Sequence, residues 1–89
     1  MLTETILIIN KRGLHARAAA KFATTAAQFC ARIQARTCGN WVEGKSVMSL
    51  MLLAATQGTH LEVTAEGEDE IQAMQTIKNL IQNRFEEDE

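Results

Sequence analysis

The chain has 89 residues, a formal net charge of −2, two cysteines and no proline, enough for one folded domain over residues 1–89 with a modest core. Lysine and arginine crowd the first half and acids the second, so residues 1–50 carry a net +5 and residues 51–89 a net −7. With aromatics at only 4%, that division argues against nucleic-acid binding and for a basic face suited to phosphate or acidic partners. No apolar run approaches the roughly 20 residues that span a bilayer. The opening Met-Leu-Thr-Glu-Thr also lacks the basic and apolar regions of a secretory signal, so a soluble, cytoplasmic protein without membrane insertion is expected. Cys30 and Cys38 fit neither a redox pair nor a common zinc spacing, and no metal or cofactor is expected.

From Glu4 to Ile9 the residues are apolar and β-branched, which predicts a strand with Ile6 and Ile8 on one face and Leu7 and Ile9 on the other. Asn10 to Gly13 is a polar turn. Ala16, Ala18, Ala19 and Ala20 then bring the highest intrinsic helix propensity, so a helix starts just after His15 and makes His15 its N-cap. Ala19, Phe22, Ala23, Ala26 and Phe29 recur at helical spacing as its core stripe, opposite Arg17, Lys21, Thr24 and Gln28. The first N–H groups of a helix, here those of Ala16, Arg17 and Ala18, lack internal partners and carry the positive end of the dipole. An anion held on or near His15 would meet these donors, with Arg17 as a permanent cation.

Between Ala31 and Thr37 the pattern becomes period two, with Ile33 and Ala35 inward, and predicts a half-buried strand. Cys38-Gly39-Asn40 reads as a hairpin turn into a short strand, Trp41-Val42-Glu43. Ser46 is the second cap signal, opening the apolar run from Val47 to Leu53. That run is apolar nearly all round, and a small domain can bury only one stripe of it. Leu50, Leu53 and Ala54 are expected inside, and Val47, Met48 and Met51 outside as an adaptable surface. After the turn Gln57-Gly58-Thr59, alternation from Leu61 to Ala65 predicts a last strand. A helix from about Glu68 to Phe85 follows, with Ile71, Met74, Ile77, Leu80, Ile81 and Phe85 along one side. The tail Glu86-Glu87-Asp88-Glu89 is expected to fray. The order βαββαβα, with helices able to cover one sheet face, predicts an α+β layer structure on a mainly antiparallel sheet.

Two segments together resemble one family. Gly13-Leu14-His15-Ala16-Arg17 and Gly44-Lys45-Ser46-Val47-Met48-Ser49-Leu50-Met51 look like the two signatures of the HPr phosphocarrier family of the phosphoenolpyruvate-dependent sugar phosphotransferase system, and the likeness covers essentially the whole chain. It implies an open-faced sandwich, a four-stranded sheet with three helices on one face. It implies that His15 accepts a phosphoryl group from enzyme I at Nδ1 and passes it to an enzyme IIA component, with Arg17 and the N–H groups of Ala16, Arg17 and Ala18 steadying the phosphoryl oxygens. It also implies docking through Ala16, Ala20, Lys21, Val47, Met48 and Met51, regulatory phosphorylation of Ser46 by HPr kinase/phosphorylase where that enzyme exists, and action as a monomer. Such a chain is a stoichiometric carrier rather than a stand-alone catalyst.

The chain departs from the family at Ala18, where proline is usual, and at Thr24 and Ala27, where lysines are usual. Those departures keep a nitrogen-related phosphotransferase carrier in play, and a non-phosphorylated HPr-like coregulator using the Val47, Met48 and Met51 surface is a second reading. His15 and Arg17 weigh against the second. An unrelated small enzyme has no support in paired carboxylates, a nucleophile-base set or a metal cluster, and His60 reads as a surface residue.

Overall fold

Alternating burial along the strands builds the sheet. In a computed structural model describing residues 1–87, β1 (Leu2–Leu7), β2 (Arg32–Arg36), β3 (Val42–Glu43) and β4 (His60–Glu66) form one antiparallel sheet in the order β1-β4-β2-β3. The register stacks inward residues in rows: Ile33 and Leu2 flank Ala65, Ala35 and Glu4 flank Val63, and Ile6 faces Leu61. Ile6, Ile33, Ala35, Leu61, Val63 and Ala65 are buried, whereas Thr3, Thr5 and Leu7 face outward. Glu4, on an inward row at the sheet edge, is covered by Lys78 at 2.9 Å.

Helices α1 (Ala16–Ala26), α2 (Val47–Met51) and α3 (Glu70–Gln82) supply the second layer, with α1 packed on α2 and α3, and α3 on β1 and β4. The order and the α+β sandwich agree with the sequence. Phe22, Leu50, Met74, Ile77, Ile81 and Phe85 close the core between the layers. Among the described residues no helix is long and apolar enough to cross a membrane. Cys30 and Cys38 are exposed free thiols.

Several boundaries shift for physical reasons. β1 starts and ends earlier than expected, and beyond it Ile8 is tied to the turn before β4, donating to Thr59 O at 2.9 Å and accepting from Gly58 N at 2.8 Å. α1 stops at Ala26, leaving Phe29 half-buried in the following turn. α3 does not run from Glu68 to Phe85, because Phe85 lies past its end in a separate turn. Ile71 is 70% exposed rather than core. At 100° per residue the buried arc of Ala73, Met74, Ile77 and Ile81 leaves Ile71 about 110° from its centre, too far round to reach the sheet.

Asp69 ties the two layers together. Its carboxylate accepts from the backbone N–H groups of Cys30 and Ala31, both at 2.8 Å, so the start of α3 is pinned to the start of β2. These bonds, the one from Cys30 first, hold the Asp69 carboxyl below its ordinary value.

Candidate functional site

The turn before α1 is built by Asn10 and Gly13. Gly13 adopts φ +67°, and a Cβ there would stand 2.4 Å from Ala55 O, so only glycine lets the loop lie against the segment after α2. Leu14 N donates to the same Ala55 O at 2.8 Å. The start of α1 is thereby fastened to the end of the apolar run that Ser46 opens. Asn10, fully buried, turns its Nδ2 to Gly13 O at 2.8 Å and locks the turn from within.

His15 is the N-cap of α1, as expected, with extended backbone angles (φ −77°, ψ −179°) and its carbonyl accepting from Ala19 N at 2.8 Å. Its side chain makes no cap hydrogen bond, so the first-turn N–H groups are not closed off by the imidazole. Arg17 stands exposed in that turn, Ala16 is exposed, and Ala18 is fully buried as the third helical residue.

The tail overturns an expectation. Rather than fraying, the chain turns back after α3 through Arg84, Phe85 and Glu86, three consecutive residues with left-handed φ of 57°, 53° and 64°. Each such residue costs about 1–2 kcal/mol. Full burial of Phe85, worth about 1.5–3 kcal/mol, and a 2.8 Å hydrogen bond from Lys21 Nζ to Phe85 O offset much of that cost. The turn delivers Glu87 to the site, where Oε2 lies 2.5 Å from His15 Nε2 and Oε1 accepts from Asn10 Nδ2 at 3.0 Å. The Glu87 side chain is 12% exposed and that of His15 22%. Burial pushes the Glu87 carboxyl up, but hydrogen bonds from His15 and Asn10 and the nearby Arg17 bring it on balance below its ordinary value. The expectation for Asp88 and Glu89 lies outside the described residues.

Ser46 caps α2, its Oγ accepting from Ser49 N at 3.3 Å. Around it, Met48 and Met51 are exposed at 78% and 46%, whereas Val47 is half-buried against the core. Leu52 is 83% exposed and Leu53 half-buried. Ala54, expected inside, is exposed with φ 51°, because the helix ends after five residues and the chain turns out before Ala55 re-enters the core. Ala20 and Lys21 are half-buried, the lysine being engaged by the Phe85 turn and 3.9 Å from Glu86. Asn10, Leu52 and Glu87 join the candidate site without having been singled out from the sequence.

A family model described as the phosphorylation site of the HPr component of the phosphotransferase system matches residues 2–83. The chain is 48% identical over 88 residues to the phosphocarrier protein HPr of Xylella fastidiosa strain 9a5c, covering 99% of each chain. Among solved structures it is similar to HPr-C-His from Thermoanaerobacter tengcongensis, with TM-score 0.95 and 40% identity over 100% of both chains. It is also similar to an HPr dimer from the same organism, with TM-score 0.78 and 41% identity, covering 98% of this chain and 100% of that one.

Proposed function

Because the chain belongs to the HPr family of phosphotransferase-system phosphocarriers, we propose that His15 is its phosphoryl acceptor, taking the group from phosphorylated enzyme I at Nδ1 and passing it to enzyme IIA components. The observation that carries this reading is an imidazole at the start of α1, making no side-chain cap bond, with Arg17 in the first turn. Phosphoryl transfer asks little covalent chemistry of the protein, mainly alignment and neutralisation of charge on the three oxygens. The N–H groups of Ala16, Arg17 and Ala18 and the guanidinium of Arg17 suit that task. An alanine at position 18 has an N–H where proline would have none, which adds a donor to the first turn.

Met48, Met51 and Leu52, with Val47, Ala16, Ala20 and Lys21 at the margin, form the surface on which enzyme I and the acceptor dock in turn. A single patch used by successive partners has to stay outside the core, which accounts for large apolar side chains left in water. Ser46 is the regulatory position, modified by HPr kinase/phosphorylase where present; a phosphate there would place negative charge beside Met48 and oppose an acidic partner. The carrier works as a cytoplasmic monomer of one domain.

Incubation with enzyme I, magnesium and phosphoenolpyruvate tests the assignment. An acid-labile, alkali-stable phosphate is expected on the wild type and none on His15→Ala; label kept by the variant would remove His15 from the role.

A further inference from the structure

The family assignment does not explain why a carboxylate should sit on the imidazole. Glu87 is 72 residues from His15 in sequence, arrives through three left-handed residues, and is gripped by a buried asparagine rather than left to wander. Asn10 Oδ1 is buried without a hydrogen-bond partner among the described residues, so the amide gives up an acceptor contact to keep Nδ2 aimed at Gly13 O and Glu87. Among the described residues the only hydrogen bond of the ring is the one at Nε2.

We propose that Glu87 is a positioning residue for phosphoryl transfer, holding the Nε2 proton of His15 so that Nδ1 is the bare, nucleophilic nitrogen of a correctly oriented ring. The inference rests on the reading of His15 as phosphoryl acceptor. An ionised carboxylate can only accept, so the 2.5 Å contact requires the proton on Nε2. A neutral imidazole carries one N–H, which leaves the lone pair on Nδ1. In the transfer, the Nδ1 lone pair forms the new N–P bond while the N–P bond of the donor phosphohistidine breaks and its electron pair returns to the donor ring. No proton leaves His15. The ring becomes an N-phosphoimidazolium with its Nε2–H retained, and the positive charge that develops faces Glu87. The arrangement parallels the carboxylate that orients a catalytic histidine through its far nitrogen in hydrolase triads. The carboxylate is kept on the Nε2 side, opposite the nitrogen at which the phosphoryl oxygens gather, and Arg17 tempers its charge.

The test uses the full chain with 15N-labelled histidine, together with single-turnover transfer from phosphorylated enzyme I. In the wild type the ring proton should be found on 15Nε2, shifted downfield and slow to exchange with water. In Glu87→Ala that signature should vanish, and the maximal transfer rate should fall roughly tenfold, at the low end of what removing an orienting partner costs, with little change in half-saturating enzyme I. Glu87→Asp should restore part of the rate. A wild-type proton on Nδ1, or Glu87→Ala transferring as fast as or faster than wild type, overturns the inference; the faster rate would make Glu87 a plug rather than a support. Absence of labelling of the wild type would defeat the acceptor reading, and the positioning role with it. A labelled wild type with an unaffected Glu87→Ala rate would defeat the positioning role alone.

Discussion

Gly13 and Asn10 show how much of the site depends on single atoms. Any side chain at position 13 meets the carbonyl of Ala55 and must also accept φ +67°, so Gly13→Ala is expected to cost about 2–3 kcal/mol, read as a lowered urea midpoint. Asn10→Ala removes the donor to both Gly13 O and Glu87 Oε1. It should slow transfer and give a ring signature like that of Glu87→Ala. Gly13, His15 and Arg17 were legible because their signal is local: a permissive residue, a histidine and a cation at a helix start. Glu87 was not, because it lies in a run of four acids whose composition reads as a solvated tail, and nothing in Arg84-Phe85-Glu86 announces three left-handed residues. Phe85 was correctly placed in the core, but through the wrong element: its burial holds a turn rather than ending a helix.

At the scale of elements, both caps were readable and the ends of the helices less so. Ser46 keeps its predicted cap, and Ser46→Ala should lower stability by about 1 kcal/mol through the lost bond to Ser49 N. A short α2 was expected, but its end at Met51 was not legible, because the apolar run continues to Leu53 with no glycine or proline to stop it. At 100° per residue Val47 lies about 70° from the centre of the Leu50, Leu53 and Ala54 stripe and Leu52 about 150° from it, so Val47, expected outside, is partly inside and Leu52 lies outside. The Asp69 link between α3 and β2 predicts an acid dependence. Its carboxyl is held low in the folded chain, so the unfolded chain binds the extra proton as pH falls. The stabilisation is complete above the ordinary aspartate value near pH ~4 and is lost as pH drops through the folded value. Asp69→Asn should therefore show a shallower fall in urea midpoint below pH ~4 than the wild type, and equal slopes would contradict the link.

Across the whole molecule, the sequence's division into a basic first half and an acidic second half is folded back on itself. Glu62 meets Arg36 at 3.2 Å, Glu86 lies 3.9 Å from Lys21 and Glu87 meets His15, so part of the expected basic face is answered internally. Among the described residues, Met48, Met51 and Leu52 leave an exposed apolar surface around α2. Met48→Glu and Leu52→Glu, both at side chains more than three-quarters exposed, should slow transfer from enzyme I at least tenfold while leaving the thermal midpoint within ~2 °C of wild type. Unchanged kinetics in both would remove the docking surface. We propose that this surface and the turn held by Gly13 serve one atom, Nδ1 of His15. The most direct measurement is the phosphorus–nitrogen coupling in the phosphorylated, 15N-histidine-labelled chain. A single bond from phosphorus to Nδ1 of His15 is the expected result, and phosphate found on Nε2, on His60 or on a serine would contradict it.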